Sequence, residues 1–260
     1  MPNASFQFRR FVVMHDQCAQ KVGTDSILLG SWASATTAGR ILDVGTGCGI
    51  LSLMMAQRTE GKTVRILGVE IDAKASQQAA ENVTASPWHD RISIQNAEFG
   101  QFATEVADGQ FELVISNPPF FRSGEGSPKH ARNAARHAES LPLDAIVTQS
   151  QRMLTATGRL AMILPVESGQ AAIQFASSAG MHLRRRTNVR PTPDAPPKRA
   201  LLEFSNSPGG LEEKELIVEL SRHEYSDDFQ RFTEAYYLPK TFGKPAVPLR
   251  GTAKSLNPPD

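Results

Sequence analysis

The sequence predicts an α/β fold built on a doubly wound, mostly parallel sheet. Short apolar runs alternate along the chain with helical patterns of 9 to 13 residues, and this alternation requires crossover connections between parallel strands. The chain has 260 residues, of which 40% are hydrophobic and 21% charged, a composition that can bury a sizeable core. A glycine-rich segment joins the first apolar run to the first helical pattern, where such sheets bind nucleotide-like ligands.

Each element follows from an apolar run or a helical period. The predicted parallel strands are RILDV (40–44), VRILGVE (64–70), RISIQ (91–95), FELVIS (111–116) and RLAMILP (159–165). The predicted helices are 50–58, 72–83 and 142–154, and Thr157-Gly158 is expected to stop the last of them. The runs 199–204 and 216–220 alternate less cleanly, and we expect them to form an antiparallel edge of the same sheet.

The charge is unevenly distributed although the formal net charge is only +1. Residues 182–199 carry six Lys or Arg residues against Asp194, whereas residues 203–234 carry nine acids against three basic residues. The simplest interpretation is a pair of solvated faces of opposite sign. Basic clusters can also bind nucleic acid, so both interpretations stay open.

Several classes of protein are disfavoured by what the sequence lacks. Two cysteines make no disulfide framework, and the six histidines show no metal-ligand spacing, so we expect no metal site. The sequence shows neither a signal peptide nor an apolar run of about 18 residues. We therefore expect a cytoplasmic protein without membrane contact, and a monomer.

A glycine loop and an acid together predict an adenosine-ribose site. DVGTGCG (43–49) lies between the first strand and the first helix, and its glycines let the backbone turn tightly close to a ligand. Glu70 follows Gly49 by 21 residues and ends the second strand, where its carboxylate can accept hydrogen bonds from both ribose hydroxyls. The G-x-G-x-G spacing differs from that of NAD sites. The alternative is a structural turn with a surface glutamate; Asp72 is expected to be a helix N-cap.

DVGTGCG with VEID (69–72) resembles the first two motifs of class I S-adenosylmethionine-dependent methyltransferases. The resemblance implies a Rossmann-like, seven-stranded methyltransferase fold that binds S-adenosylmethionine. It places Asp43 at the methionine end, the glycine loop along the cofactor, Glu70 at the ribose, and Ala97 and Glu98 at the adenine. Glu98 departs from the usual Asp. The implied cofactor set is Thr24, Asp43, Gly45, Gly47, Gly49, Glu70, Ile71, Ala97, Glu98 and Asn117.

A second motif, Asn117-Pro118-Pro119-Phe120, directly follows the fourth strand. Methyl transfer to a planar amine needs the lone pair aimed at the methyl group, and two acceptors that grip the amine hydrogens can localise this lone pair. Asn117 offers a side-chain carbonyl and Pro118 a backbone carbonyl in a stiff frame, while Phe120 offers a face for a planar base. The alternative is a turn with Phe120 and Phe121 in the core. N-P-P-[FY] is the signature of methyltransferases acting on adenine N6, cytosine N4, guanine N2 or a glutamine amide.

Four further stretches, 15–33, 122–143, 184–199 and 225–238, make residues 5–238 resemble the bacterial tRNA-Val adenine-37 N6-methyltransferase family. The resemblance implies a tRNA anticodon stem-loop as partner, with Thr24 at the methionine carboxylate. The candidates for RNA contact are Arg132, Arg136, Lys198 and Arg199, although an arginine-rich loop is often merely solvated. We expect one domain over 1–238, with 1–35 capping the cofactor pocket, a closing helix in 225–238 that Ser226 caps, and a flexible tail over 239–260.

Other functions remain as alternatives. A release-factor glutamine methyltransferase shares both motifs but normally carries a longer N-terminal helical domain, and an rRNA guanine N2-methyltransferase usually has a further RNA-binding domain. A cofactor-binding scaffold without catalysis would have no use for the amine clamp. A dehydrogenase is disfavoured by the glycine spacing.

Overall fold

The computed structural model describes residues 4–35, 39–119 and 141–243. The strands in these ranges are β1 (Ser5–Gln7), β2 (Val12–Met14), β3 (Arg40–Val44), β4 (Arg65–Glu70), β5 (Ile92–Asn96), β6 (Phe111–Ser116), β7 (Leu154–Pro165), β8 (His182–Arg190), β9 (Arg199–Ser205), β10 (Glu212–Ile217), β11 (Glu219–Ser221) and β12 (Glu224–Tyr225). The helices are α1 (Thr24–Trp32), α2 (Ile50–Arg58), α3 (Ala73–Thr84), α4 (Phe99–Glu105), α5 (Leu143–Met153), α6 (Val166–Ser178) and α7 (Asp227–Thr233), with a 3-10 helix at Pro239–Phe242.

One eight-stranded sheet organises the fold, in the order β10-β8-β9-β7-β6-β3-β4-β5. From β5 to β7 all neighbours are parallel, whereas β9 runs antiparallel to both β7 and β8. This confirms the doubly wound, mostly parallel sheet with an antiparallel part. The expected number of seven strands is wrong, because β8 adds one.

The antiparallel part lies toward one edge of the sheet, as expected. β9 sits between β7 and β8, and the edge strand β10 pairs in parallel with β8. The run 216–220 is also divided: β10 ends at Ile217, and Glu219–Ser221 pairs separately with β12. A short alternating run carries no information about its partner, which is why its position in the sheet was not predictable.

The basic and acidic segments neutralise each other in neighbouring strands. In the register of β8 and β10, Glu212 lies opposite Arg185 and Glu213 opposite Arg186. The corresponding N–O distances are 3.7 Å and 3.8 Å. Three arginines of β8 thus pair with three glutamates of β10 across one ladder, so these parts of the two segments do not form separate faces of opposite sign.

Both faces of the sheet are buried, as expected for parallel strands between helices. Successive residues of β3 alternate between two hydrophobic clusters, with Ile41 in one and Leu42 in the other. Leu113 and Val114 of β6 divide in the same way. The core therefore lies on both sides of the central strands and holds their carboxyl ends in fixed register.

Some predicted boundaries move in the structure. β7 begins at Leu154, directly after α5, so the expected stop at Thr157-Gly158 lies inside a strand. The closing helix α7 ends at Thr233, short of the predicted 238, although Ser226 caps it as expected by accepting from the Phe229 N–H at 3.0 Å. α4 and α6 were not predicted, since α4 has only seven residues and α6 follows β7 without an intervening loop.

The start of the expected tail packs on the domain. Phe242, in the 3-10 helix, has its ring centroid 5.7 Å from that of Tyr237 and 5.8 Å from that of Tyr225. Residues 239–242 therefore belong to the packed structure, and residues 244–260 of the expected tail lie outside the described ranges.

Candidate active site

The carboxyl ends of β3, β4 and β6 bring the two sequence motifs together. Asp43 of β3 lies opposite Gly68 of β4 and opposite Ile115 of β6, so the three strands end side by side. The Ser116 hydroxyl donates to the Val44 carbonyl at 2.8 Å, which ties the end of β6 to the start of the glycine loop. The glycine loop, Glu70 and Asn117 therefore share one crevice edge, as expected for ligand sites of open α/β sheets.

The glycine loop depends on backbone conformations that favour glycine. Gly45, Gly47 and Gly49 have φ values of +69°, +56° and +83°. These lie in the left-handed region, where a Cβ is strained. A Cβ on Gly47 would meet no atom within 4 Å, so the space above this residue is open. The loop leaves room for a ligand at its centre.

Asp43 supports this loop from below. Its side chain is fully buried, and Oδ2 accepts hydrogen bonds from the Thr46 hydroxyl at 2.5 Å, the Ser52 hydroxyl at 2.8 Å and the Ser52 N–H at 3.0 Å. Burial raises the pKa of Asp43 to about 6, and the hydrogen bonds from Thr46 and Ser52 oppose this rise. The sequence did not single out Thr46 or Ser52, because nothing local distinguishes a loop hydroxyl that faces inward.

Glu70 connects β4 to the glycine loop. Oε2 accepts from the Gly47 N–H and Oε1 from the Asp72 N–H, both at 2.9 Å. A carboxylate oxygen can accept more than one hydrogen bond, so Glu70 keeps capacity for two ribose hydroxyls. Ile71 beside it is 41% exposed, an unusual exposure for an aliphatic side chain in the crevice. Asp72 caps α3 as expected, with Oδ1 accepting from the Lys74 and Ala75 N–H groups at 2.9 Å.

Glu98 has a role that the sequence did not predict. It is the N-cap of α4, and its two carboxylate oxygens accept from the Gly100 and Gln101 N–H groups, both at 2.7 Å. The Ala97 N–H donates to the Glu70 carbonyl at 3.0 Å. Both residues lie at the end of β5 next to Glu70, but the Glu98 side chain is turned toward its own helix.

The side-chain carbonyl oxygen of Asn117 accepts no hydrogen bond from the described residues. Its side-chain Nδ2 donates to the Ser26 hydroxyl at 3.0 Å, whereas Oδ1 is buried and has no hydrogen bond within the described part of the chain. Asn117 as a whole is only 8% exposed. A buried carbonyl without a donor costs about 1–3 kcal/mol, so its presence at a crevice indicates a ligand donor.

The remaining motif residues are placed only in part. Pro118 is buried and Pro119 half-buried, directly after Asn117 at the carboxyl end of β6. Phe120 lies outside the described residues, and so does the stretch 122–140.

The segment before the glycine loop contacts this edge through α1. Thr24 is the first residue of α1. Asp25 Oδ2 lies 2.9 Å from Arg199 Nε at the start of β9, and Ser26 contacts Asn117. Two consecutive residues of α1 thus bind it to β9 and to the end of β6.

Comparison with known proteins assigns the chain to a family. Residues 17–174 match the family model described as the Methyltransferase small domain. Proteins named tRNA1(Val) (adenine(37)-N6)-methyltransferase from Phocaeicola vulgatus, Tolumonas auensis and Klebsiella pneumoniae are each 42% identical over 238 residues, which is 92% of this chain and 99%, 98% and 96% of theirs. The chain belongs to the tRNA1(Val) (adenine(37)-N6)-methyltransferase family.

Solved structures agree on the fold. A protein from Agrobacterium tumefaciens described as a predicted O-methyltransferase superimposes with a TM-score of 0.64 at 19% identity, covering 82% of this chain and 96% of that one. NSun6 from Pyrococcus horikoshii gives 0.53 at 14% identity, covering 72% of this chain and 53% of that one. At such identities the likeness concerns the fold alone.

Of the four candidate RNA-contacting residues, the structure describes Lys198 and Arg199, and these two differ in what surrounds them. Lys198 is exposed, directly before β9 at the same edge as Asn117. Arg199 is different, because its side chain is only 18% exposed and pairs with Asp25. An arginine-rich stretch alone does not reveal such a partner 174 positions away. Arg132 and Arg136 lie outside the described residues.

The described residues show neither a metal site nor a membrane-spanning helix. Within residues 4–35, 39–119 and 141–243, no group of three His, Cys, Asp or Glu residues is arranged to hold a metal ion. Over the same ranges, no helix combines the length and apolarity needed to cross a bilayer.

Proposed function

We propose that this protein transfers a methyl group from S-adenosylmethionine to the exocyclic N6 amine of adenine 37 in tRNA1(Val). The observation that carries this proposal is the buried Oδ1 of Asn117 at the crevice edge, to which no described residue donates a hydrogen bond. Relatives that are 42% identical over 92% of the chain are tRNA1(Val) (adenine(37)-N6)-methyltransferases, and this supports the choice of substrate. Since tRNA is the substrate, we place the protein in the cytoplasm.

The crevice residues fit S-adenosylmethionine. The loop of Gly45, Gly47 and Gly49 leaves open space at its centre, and Glu70 has spare lone pairs for a ribose. The exposed Ile71 offers an apolar contact beside this carboxylate. When bound, S-adenosylmethionine supplies the electrophilic methyl group on its sulfonium.

Asp43 serves the cofactor site with two different oxygens. Its Oδ2 holds Thr46 and Ser52, which fixes the loop that would lie along the cofactor. Its Oδ1 is buried and has no hydrogen-bond partner among the described residues, so it stays available for the methionine end that the resemblance implies. Glu98 holds the start of α4 beside the position of the adenine.

The residues after β6 activate the amine. The lone pair of an aromatic amine is delocalised into the ring, so the amine is a weak nucleophile. Asn117 Oδ1 accepts one amine N–H and the Pro118 carbonyl the other, which localises the lone pair and stabilises the developing positive charge. The amine proton then passes to water, and no side-chain base is required at this step. Phe120 remains our predicted stacking surface for the base.

The tRNA is held by its backbone. An anticodon-loop adenine is already single-stranded, so turning it out of its stack costs little. Lys198, exposed at the crevice edge, is the described residue best placed for a phosphate, and Arg132 and Arg136 remain predicted contacts. Each phosphate contact adds to the salt dependence of binding.

The test is a labelling experiment on unmodified total tRNA. The protein is incubated with methyl-labelled S-adenosylmethionine, the RNA is digested to nucleosides, and the labelled nucleoside is identified by mass spectrometry. N6-methyladenosine is expected, with the label mapped to position 37 by sequencing, and Asn117→Ala run in parallel. If the protein binds S-adenosylmethionine but the tRNA stays unlabelled, the tRNA assignment is overturned. The substrate would then be a glutamine amide of a protein or a guanine of rRNA.

A further inference from the structure

The contact between Ser26 and Asn117 bears directly on the acceptor geometry. A carboxamide has two orientations of nearly equal shape, which exchange its oxygen and its NH2 group. Only the orientation with Oδ1 toward the crevice can accept an amine N–H. In the opposite orientation, the Asn117 NH2 group would face the N–H groups of the amine, and no hydrogen bond could form between them.

Ser26 is the described side chain that contacts the amide, and by accepting from its NH2 group it favours the productive orientation. Its hydroxyl accepts from Asn117 Nδ2 at 3.0 Å, and no described residue hydrogen-bonds Oδ1 at the other end of the amide. Both residues are 8% exposed, so water does not readily replace this bond. With alanine at position 26, neither end of the amide would have a side-chain partner among the described residues.

The position of Ser26 is itself fixed. Its neighbour Asp25 forms the 2.9 Å ion pair with Arg199. The side chain on α1 therefore presents a defined acceptor to β6, although 91 positions separate Ser26 from Asn117. Rigid elements hold a reacting group more precisely than loops do.

We propose that Ser26 is a positioning residue for methyl transfer, which keeps the Asn117 carbonyl oxygen aimed at the amine. The inference rests on the proposed function, since it concerns the same amine clamp. Ser26 acts through Asn117 and does not touch the reacting atoms. The segment before the glycine loop thus contributes to the chemical step as well as covering the cofactor.

The test compares Ser26→Ala and Ser26→Thr with the wild type. For Ser26→Ala we expect kcat to fall about tenfold, as for the loss of one orienting hydrogen bond, with the affinity for S-adenosylmethionine unchanged. Ser26→Thr keeps the hydroxyl and should recover most of the lost kcat. The control is Ser86→Ala, which removes a buried serine whose hydroxyl donates to the Val83 carbonyl at 2.7 Å, in the loop after α3, and should leave kcat unchanged.

A double variant decides whether Ser26 works through Asn117. If it does, adding Ser26→Ala to Asn117→Ala should not lower kcat further. A wild-type kcat for Ser26→Ala, or a full additional tenfold loss in the double variant, would overturn the positioning role.

A substrate-independent readout separates this inference from the proposed function. The readout is the hydrogen-exchange rate of the Asn117 side-chain NH2 group, whose NMR signal is assigned by its loss in Asn117→Asp. This group should exchange with solvent at least tenfold more slowly in the wild type than in Ser26→Ala. Equal exchange rates would contradict the Ser26 bond. A wild type that labels no tRNA but shows the exchange difference would contradict only the tRNA assignment.

Discussion

The carboxylate of Glu70 accepts a hydrogen bond from the Gly47 N–H at 2.9 Å, and so joins the end of β4 to the middle of the glycine loop. The residue expected to bind the cofactor ribose thus also holds the loop expected to lie along the cofactor. Its second oxygen holds the Asp72 N–H at the start of α3. Loop, strand and helix are therefore set in place before any ligand binds, and preorganisation of this kind lowers the cost of binding.

Replacing Glu70 should weaken cofactor binding. Glu70→Ala removes both the ribose acceptor and the bond to Gly47, so we expect the Kd for S-adenosylmethionine, measured by titration calorimetry, to rise at least tenfold. Glu112→Ala is the matched control. Its carboxylate also accepts two backbone N–H groups, from Gly39 at 3.2 Å and Arg40 at 2.6 Å, but at the opposite end of β3. Equal affinity in wild type and Glu70→Ala would refute the ribose assignment.

Replacing Asn117 should affect turnover and spare cofactor binding. We expect Asn117→Ala to lower kcat at least 100-fold, about 2.7 kcal/mol, because the amine loses its side-chain acceptor. The Kd for S-adenosylmethionine should stay within about threefold of the wild-type value. The control is Asn206→Ala, a half-buried asparagine whose Nδ2 donates to the Gln151 carbonyl at 3.1 Å, after the far end of β9. Near-normal turnover in Asn117→Ala would remove Asn117 from the catalytic role.

The sequence was sufficient to predict the central part of the fold. β3, α2 and β6 have the predicted bounds to the residue, because each is a strongly apolar segment between clear boundaries. Glycines in positive φ and the Asp72 cap fix where α2 and α3 begin. Local signals of this kind need no knowledge of distant residues.

What the sequence missed depends on distant contacts. β8 contains four arginines and has a polar pattern, yet it is a strand because β10 supplies Glu212, Glu213 and Glu215 across the ladder. In the site, the positions of Glu70 and Asn117 followed from motifs at strand ends, whereas the contact of Ser26 with Asn117 spans 91 positions. No local pattern marks Ser26 among the other serines of the chain.

Lys198 and Arg199 should behave differently although they are adjacent. Lys198→Ala should raise the KM for tRNA and lower the slope of log K against log salt by about 1, as for one lost phosphate contact, without changing stability. Arg199→Ala should lower the melting temperature, because it leaves Asp25 partly buried with its ion pair removed. Lys62→Ala, an exposed lysine before β4 at the opposite edge, is the control for loss of one positive charge.

If the slope of log K against log salt is the same in Lys198→Ala as in the wild type, Lys198 does not contact a phosphate and is a solvated surface residue. A melting temperature for Arg199→Ala equal to that of the wild type would show that the pair with Asp25 contributes little to stability. Differential scanning fluorimetry and salt titrations of tRNA binding measure the two quantities separately.

Asp43 should make stability depend on pH in a direction opposite to that of most acids. Its pKa is raised from 3.8 to about 6 by burial, so the folded protein binds this proton more tightly than the unfolded chain does. The resulting stabilisation is present in full below about pH 4 and is lost as the pH rises through about 6. Asp43→Asn keeps a carbonyl acceptor for Thr46 and Ser52 but does not titrate.

Urea unfolding of the wild type and of Asp43→Asn between pH 4 and pH 8 measures how much the protonation of Asp43 contributes to stability. The free energy of unfolding of the wild type minus that of Asp43→Asn should fall by roughly 2 kcal/mol between pH 4 and pH 7, since one pKa unit corresponds to about 1.4 kcal/mol and part of the shift lies below pH 4. Asp90→Asn, at an exposed position, controls for the removal of one carboxylate. If the difference in free energy of unfolding between wild type and Asp43→Asn stays constant or rises with pH, burial does not raise the pKa of Asp43. The hydrogen bonds from Thr46 and Ser52 would then outweigh the cost of burying the charged carboxylate beneath the glycine loop.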